Sequence, residues 1–338
     1  MLFRTLGVAA IAVAMTTSAV RAEELIVYTA LEADQIKAYE KAFETANPGI
    51  DVRFVRDSTG IITAKLLAEK ASPVADAILG LAATSLMLLE KEGMLTGYAP
   101  AGLDKVKPSM RDPANPPQWV GMDVWASALC FNTIEAGKKG VPAPTSWADL
   151  LKPDYKDMIA MPNPASSGTG FLMVSAWLQM FGEEKGWAYM DGLHKNVAAY
   201  THSGSKPCKQ AAAGEHGIGL SFEYRAVKTK KDGAPIDVIL PKEGLGWDME
   251  AGAIMATTKK MDAAKKLMDW AVTPEANELY AENYAIVALD GIAKPLDFVE
   301  GDIEKMLIKN DFAWAAANRD RILAEWTKRY DSKSEPKS

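Results

Sequence analysis

The chain has 338 residues, of which 24% are charged and 48% hydrophobic, and its formal net charge is −6. This length is sufficient for two domains. The modest acidic balance disfavours a nucleic-acid partner, because binding to a phosphate backbone needs clustered Lys and Arg side chains. The sequence has no basic stripe with interleaved aromatic residues.

The first 22 residues have the features of a secretory signal peptide. Arg4 supplies a positive charge, an apolar run follows over 6–15, and Val20-Arg21-Ala22 forms a cleavage site before Glu23. The apolar run is too short to span a bilayer as a mature helix. We therefore expect residues 1–22 to be removed on export across the inner membrane to the periplasm; the alternative is a buried N-terminal helix.

The elements after this leader alternate between strand and helix. This βαβαβα order predicts an α/β fold with a mainly parallel sheet covered by helices on both faces. Ligands of such sheets bind beyond the carboxyl ends of the strands. The hydrophobic periodicity and the turn residues predict strands over 25–28, 50–54 and 75–79, with helices that begin near 33, 60 and 83.

A second alternating unit follows, and the chain then returns to the first. It is predicted to start with a strand over 125–131 and a helix at Trp147, and to end in a polar, frayed tail over 331–338. Two lobes joined by several crossings fit this order. We predict that 23–125 is the first part of lobe 1, 126–244 lobe 2, 245–300 the return to lobe 1, and 301–338 the C-terminal helices and tail.

Cysteine and histidine give no sign of a metal site. Cys130 and Cys208 are compatible with one disulfide in an oxidising compartment or with two buried thiols. The three histidines (His194, His202 and His216) lack the spacing of metal ligands. We expect no metal and no cofactor.

Three short segments rich in Ser, Thr and Gly each open a predicted helix. A helix start presents unpaired N–H groups and a partial positive charge, so hydroxyls and glycines placed there suit a phosphate-like oxyanion. The alternative for any single segment is an ordinary helix N-cap. The segments are Ser58-Thr59-Gly60, Ser166-Ser167-Gly168-Thr169-Gly170 and Ser203-Gly204-Ser205-Lys206.

Two predicted strand ends carry an acidic residue beside aromatic side chains. Asp123 lies close to Trp125, and Glu223 precedes Tyr224. A carboxylate next to an aromatic face is typical of an ammonium site, although Glu223 could instead pair with Arg225. Together with the Ser/Thr segments, these residues predict a small zwitterionic ligand.

Motifs of enzymes are incomplete. No Walker A loop or dinucleotide fingerprint occurs. Ser203-Gly204-Ser205-Lys206 matches the S-x-x-K motif of penicillin-interacting serine enzymes, but their S-D-N and K-T-G elements are missing. The spacing of Glu32, Asp123 and Glu223 singles out no acid/base pair for glycoside hydrolysis. We therefore expect a binding protein and not an enzyme.

Long motifs across the chain resemble the 2-aminoethylphosphonate-binding subunits of ABC importers, part of a solute-binding group that includes ferric-ion binders. The resemblance implies a type II periplasmic binding fold, with two lobes closing on a ligand cleft, and a permease as the partner of a monomeric protein. The motifs are 28–34 (YTALEAD), 56–62 (RDSTGII), 119–125, 162–170 (PNPASSGTG), 200–208 (YTHSGSKPC), 221–226 (SFEYRA) and 310–330.

The resemblance also assigns roles to the two ends of the ligand. Glu223 and Asp123 would bind the ammonium group, and Trp125 or Tyr224 would pack on the linker. The phosphonate would lie on Thr29, Ser58, Thr59, Ser166, Ser167, Gly168, Thr169 and Ser205.

The chain departs from related binders at two positions. Ferric-ion relatives use adjacent tyrosines, whereas this chain has Phe222-Glu223-Tyr224, which disfavours iron. An aromatic residue often stands where this chain has Leu79, so the cleft could accept a larger ligand. A phosphate ester, phosphate or a polyamine on the same fold are the first alternatives, and a secreted hydrolase is the second.

Overall fold

The computed structural model describes residues 22–336, so all of the predicted leader except Ala22 lies outside the described residues. Ten strands and twelve α-helices occur in the described range. The strands are β1 Glu23–Thr29, β2 Ile50–Arg56, β3 Ala77–Ala82, β4 Leu95–Thr96, β5 Trp119–Asn132, β6 Ile159–Pro162, β7 Val197–Thr201, β8 Ile218–Phe222, β9 Ile236–Ile239 and β10 Trp247–Met255.

Short 3₁₀ turns supplement the helices at 103–105, 108–110, 148–151, 153–155 and 331–333. The α-helices are α1 Ala33–Ala46, α2 Thr59–Ala68, α3 Ala83–Lys91, α4 Thr133–Lys139, α5 Gly168–Phe181, α6 Glu183–His194, α7 Lys206–Ala212, α8 Glu223–Lys231, α9 Met261–Ala271, α10 Pro274–Ala281, α11 Ile303–Met306 and α12 Phe312–Tyr330.

The strands form one sheet in the order β2-β1-β3-β10-β5-β8-β6-β7, with β4 beside β10 and β9 beside β5. The pairs β1–β2, β1–β3, β6–β7 and β6–β8 are parallel, as the alternation of strands and helices predicts. Strand β10 runs antiparallel to β3 and β5 because it belongs to the return of the chain.

Strand β5 connects the two halves of the sheet. Its residues up to Ala126 pair with β10, whereas from Ser127 onwards it pairs with β8. Two large buried clusters lie on either side of this change. The first contains most apolar residues of β1–β4 and of α1 and α9, and the second contains those of α5, α6 and α12. We call these regions the first half and the second half; the predicted lobe boundaries stay predictions.

Several predicted elements differ from the observed ones. Strand β3 extends to Ala82 and β5 begins at Trp119, because burial on every side removes the alternation that marks strand ends in sequence. Only 3₁₀ turns follow Trp147 where a helix was predicted. Helices α4 and α8 were not predicted.

The C-terminal tail was predicted to be frayed, and for residues 331–336 this is wrong. A 3₁₀ turn over Asp331–Lys333 follows α12 directly. The Glu335 amide then donates to the Tyr200 carbonyl of β7 at 2.9 Å. The Lys333 ammonium donates to the His194 and Val197 carbonyls. These bonds hold the tail against the second half.

Cys130 and Cys208 form a disulfide, which decides between the two possibilities left open by the sequence. Their Cα atoms lie 5.3 Å apart, and the bond joins β5 to α7. Within 22–336, none of the helices is long and apolar enough to cross a membrane.

Candidate ligand-binding site

A cleft lies where the ends of β1, β2 and β3 meet turns from the second half. Its empty volume is about 470 Å³ with the open solvent at its mouth included. The lining residues are Ala30, Glu32, Arg56, Ser58, Thr59, Gly80, Ala82, Trp125, Ser167, Gly168, Thr169, Ser203, Gly204, Phe222 and Glu250.

The start of α2 forms one wall of this cleft. Ser58 is its N-cap residue, and the hydroxyl makes no capping bond to the helix. The Asp57 carboxylate accepts the Ser58 amide at 2.7 Å, which shapes the turn. The first amides of a helix have no carbonyl partner within it, so α2 presents a partial positive charge at Ser58 and Thr59.

The start of α5 forms a second wall and is fixed by its own turn. Asn163 accepts the Ala165 amide at 2.8 Å through its side chain and the Ser167 amide at 2.9 Å through its carbonyl. The Ser167 hydroxyl caps the helix by accepting the Gly170 amide at 3.3 Å. The small residues Gly168 and Gly170 let this turn pack closely against its neighbours.

The two helix starts are in direct contact across the cleft. The Gly60 amide donates to the Ser166 carbonyl at 2.9 Å. A Cβ atom on Gly60 would lie 2.2 Å from the Ala165 carbonyl oxygen, and one on Gly168 would lie 2.6 Å from Thr59 Oγ1. Only glycine therefore allows this approach of the first half to the second.

A third turn, residues 203–205, completes this part of the cleft. The hydroxyls of Ser203 and Ser205 are 3.0 Å apart, and Ser221 donates to the Gly204 carbonyl at 2.7 Å. A Cβ atom on Gly204 would lie 2.5 Å from Thr169 Oγ1, so this turn sits against the start of α5. We call the starts of α2 and α5 and the turn 203–205 the hydroxyl wall.

The C-terminal tail supports the hydroxyl wall from behind. The Glu335 carboxylate accepts the His202 amide at 2.6 Å and forms an ion pair with Lys206. Asn163, which shapes the turn before α5, donates to the Ser334 hydroxyl at 3.0 Å. The tail thus contacts the turns on both sides of this wall.

Two acidic residues face each other across the β5–β10 pair. Glu250 of β10 is in register with Asp123 of β5. Glu250 is 8% exposed and lines the cleft, whereas Asp123 is completely buried behind it. Burial raises the pKa of Glu250 to about 8 and also raises that of Asp123, because a carboxylate is poorly solvated there.

Glu223 is the first residue of α8 and is buried beside the cleft without lining it. Its carboxylate accepts the Ala126 amide at 2.7 Å, and burial raises its pKa to about 8. The alternative that Glu223 pairs with Arg225 is wrong. Arg225 instead contacts the first half, with Nη2 2.8 Å from Glu32 and 3.2 Å from Asp34.

Six of the twelve residues predicted to bind ligand line the cleft, and six do not. Thr29 accepts the Leu31 amide, Ser166 donates to the His202 carbonyl, and Tyr224 packs against Tyr284. The lining residues are Ser58, Thr59, Trp125, Ser167, Gly168 and Thr169, and the others are Thr29, Asp123, Ser166, Ser205, Glu223 and Tyr224. The roles assigned to all twelve stay predictions.

Sequence reasoning missed Arg56, Phe222 and Glu250 as cleft residues. Glu250 carried a signal, since it is an acidic residue inside the apolar stretch that forms β10. Arg56 carried a weaker one, because it ends a strand of the parallel part of the sheet. Leu79, singled out as a departure from related binders, is completely buried and does not line the cleft.

No group of His, Cys, Asp and Glu side chains within residues 22–336 has the arrangement of a metal site.

A family comparison agrees with the binding-cleft architecture, since residues 72–315 match the bacterial extracellular solute-binding proteins. The chain belongs to this family. Members of the family bind solutes for transport.

Known relatives place this solute-binding protein among the ABC transporter components. A probable ABC transporter periplasmic-binding protein of Sinorhizobium fredii is 26% identical over 245 residues, which are 71% of this chain and 67% of that protein. The spermidine/putrescine-binding periplasmic protein of Escherichia coli is 31% identical over 167 residues, 47% of this chain and 46% of that protein.

A solved structure confirms the type II periplasmic binding fold. The periplasmic binding protein AfuA of Actinobacillus pleuropneumoniae, with fructose-6-phosphate bound, superposes with a TM-score of 0.85. It is 27% identical, and the match covers 91% of this chain and 99% of that one. The chain is thus a periplasmic solute-binding protein of an ABC transporter.

Proposed function

We propose that this solute-binding protein captures 2-aminoethylphosphonate, or a close phosphonate zwitterion, as a monomer and delivers it to the permease of an ABC importer. The observation that carries the proposal is the hydroxyl wall. Two helix starts from opposite halves meet there, joined by the bond from Gly60 to Ser166. Helix starts and hydroxyls that line one cleft suit a doubly ionised oxyanion.

Charge around the cleft supports a ligand with two unlike ends. Arg56 lines the cleft beside the hydroxyl wall and adds a positive charge there. Glu32 and Glu250 line the same cleft; Glu32 is paired with Arg56 and Arg225, which leaves Glu250 as the carboxylate for a cationic group. The faces of Trp125 and Phe222 offer an apolar surface for a short linker.

Capture follows from contacts that exist only when the two halves meet. A ligand held by α2 from the first half and by α5 from the second stabilises the closed arrangement, because opening removes one set of contacts. Arg225 on one side and Glu32 on the other add an ion pair at the same place, with 2.8 Å between their atoms. The permease then binds the closed form and takes up the ligand, and no covalent bond of the ligand is made or broken.

A sugar phosphate is the second candidate, because AfuA, which has fructose-6-phosphate bound, is 27% identical to this chain. The hydroxyl wall would serve a phosphate ester equally well. In that case the carboxylates would accept hydrogen bonds from sugar hydroxyls. A polyamine is a weaker candidate, since it would make no use of helix starts.

Isothermal titration with 2-aminoethylphosphonate, fructose-6-phosphate, inorganic phosphate and putrescine tests the proposal. We expect the aminophosphonate to bind most tightly. We also expect Ser58→Ala with Ser167→Ala to weaken its binding by roughly 30–1,000-fold, since each lost hydroxyl contact to a charged group contributes about 1–2 kcal/mol. Ser72→Ala, at an exposed position, is the matched control. Tightest binding of fructose-6-phosphate or putrescine would contradict the proposal.

A further inference from the structure

The carboxyl pair at Glu250 and Asp123 is unusual for a protein interior. Directly opposed residues in an antiparallel pair have Cβ atoms about 5 Å apart, so two like charges placed there repel each other. Both side chains are more than nine-tenths buried, which deprives them of the water that would screen this repulsion. Neither residue is needed to complete a hydrogen bond of the sheet, because strand pairing uses the backbone.

Most oxygens of this pair lack a hydrogen-bond donor. When both carboxyls are ionised, neither oxygen of Asp123 has a donor among the described residues, and neither does Oε2 of Glu250. A proton on one of the two carboxyls would join them by a hydrogen bond. Oε1 of Glu250 accepts the Tyr284 hydroxyl at 3.4 Å, which is a long contact. Unpaired buried polar atoms cost free energy and are rare in native structures, and a ligand that brings donors is one physical reason for them.

The side chains around the pair supply no cation that contacts it within the described residues. Glu32 and Glu223 raise the pKa of Glu250 further through their charges. The guanidinium of Arg225 pairs with Glu32, and among the described residues no Lys or Arg pairs with Asp123, Glu223 or Glu250. A neutral hydroxyl could fill the empty hydrogen bond of Glu250, but it would leave the charge in place.

We propose that Glu250, supported by Asp123, is the receptor for a primary ammonium group of the ligand. This inference rests on the proposed function, in which the hydroxyl wall binds the anionic end. The ammonium donates to the carboxylate of Glu250, and its charge replaces a proton that the two carboxyls otherwise share. That proton leaves to solvent, so the reaction exchanges one cation for another. The aromatic faces of Trp125 and Phe222 in the same cleft favour a cation as well.

The inference differs from the one drawn from sequence resemblance, which gave the ammonium group to Glu223 and Asp123 and did not include Glu250. Glu223 already accepts the Ala126 amide at 2.7 Å and does not line the cleft. Glu250 lines the cleft, and its side chain accepts only the long 3.4 Å hydrogen bond from Tyr284 among the described residues. The two assignments therefore predict different results for the same substitution at the two positions.

Titration of 2-aminoethylphosphonate and of ethylphosphonate, which lacks only the amine, separates the two ends of the ligand. We expect the wild-type protein to bind the amine form at least 100-fold more tightly. Glu250→Gln should reduce this ratio to less than threefold while ethylphosphonate binds at least as tightly as before. Asp248→Asn, at a buried carboxyl of the same strand that bonds to Thr84, should leave the ratio unchanged.

Each outcome of this experiment decides one point. A ratio preserved in Glu250→Gln and lost in Glu223→Gln would overturn the assignment to Glu250, and so would a wild-type ratio near one. Failure of the wild-type protein to bind either phosphonate would instead refute the proposed function. Thermal unfolding of each variant verifies that it is folded, and a folded Glu250→Gln protein is expected because the substitution removes a buried like-charge contact.

Discussion

The two ends of the cleft differ in charge and in the groups that form them: the hydroxyl wall suits an anion, and the acidic end suits a cation. The hydroxyl wall is built from backbone amides and short hydroxyls at helix starts, and its turns are internally hydrogen-bonded through Asn163 and Ser203. The acidic end is built from Asp123 and Glu250, whose oxygens largely lack donors when both carboxyls are ionised. The comparison indicates that a positive site from the backbone is compatible with stable folding, whereas a negative site from buried carboxylates costs stability until a cation arrives.

Removing the disulfide tests how much this bond, which lies next to the hydroxyl wall, contributes to the stability of the protein. Cys208 lies in α7, directly after the turn 203–205. We expect Cys130→Ser with Cys208→Ser to lower the free energy of unfolding by about 4 kcal/mol, because the bond closes a long loop. Denaturant unfolding measures this change. An unchanged midpoint would show that the bond contributes nothing to the second half.

The contact between the two helix starts provides the next test. Gly60→Ala places a Cβ atom 2.2 Å from the Ala165 carbonyl oxygen, so the halves can no longer meet there. We expect binding of every ligand to weaken on the order of 100-fold, or about 2.7 kcal/mol.

Gly137→Ala is the matched control for this substitution, since Gly137 lies in α4 with no neighbour within 4 Å of the added atom. Calorimetry on both variants makes the comparison. Equal affinities for Gly60→Ala and Gly137→Ala would mean that ligand binding does not need this contact.

The buried carboxyls of the acidic end should make the stability of the protein depend on pH. The folded-state pKa of Glu250 is raised to about 8 from an ordinary value near 4.5, so the folded protein holds this proton more strongly than the unfolded chain. Stability is then highest below the unfolded pKa and is lost as pH rises towards 8. Asp123 and Glu223 face Glu250 and act in the same direction, while Glu32 adds a further negative charge.

We therefore expect Glu250→Gln to raise the melting temperature at pH 8 and to leave it nearly unchanged at pH 5. The free energy of unfolding at pH 8 should rise by an amount on the order of 2 kcal/mol. Part of its pH dependence remains in the variant, because the neighbouring carboxyls Asp123 and Glu223 still titrate. Thermal unfolding across this range measures it. Glu282→Gln, at an exposed position of the first half, should follow the wild-type protein at both pH values.

The C-terminal tail should have the smallest effect. Glu335→Gln removes the charge that pairs with Lys206, while the amide oxygen can still accept the His202 amide. We expect ligand affinity to fall by only about 3–5-fold, equivalent to about 1 kcal/mol, since the turn 203–205 loses one support among several.

Deleting residues 334–338 removes the Ser334 contact to Asn163 in addition and should weaken binding further. Calorimetry with the tightest ligand compares the two variants. If truncation had no effect on affinity, the tail would pack against the second half without affecting ligand binding at the hydroxyl wall.

The sequence by itself determined the elements whose signals are local. The order of strand and helix in the first half follows from hydrophobic spacing and from stops such as Asn47-Pro48-Gly49. The turns at Ser58 and Ser167 were recognisable because helix starts select Ser, Thr and Gly through contacts within a few residues. The long motifs likewise sufficed for the broad solute-binding family and for the type II periplasmic binding fold.

Tertiary structure alone decided which distant residues meet. The pairing of Cys130 with Cys208 depends on a Cα separation of 5.3 Å that no spacing in sequence encodes. Glu250 became a cleft residue because β10 returns beside β5, and Arg225 met Glu32 because the halves close on each other. Such contacts arise from burial and strand pairing between segments far apart in the chain, and these act on the folded molecule and not on any local stretch.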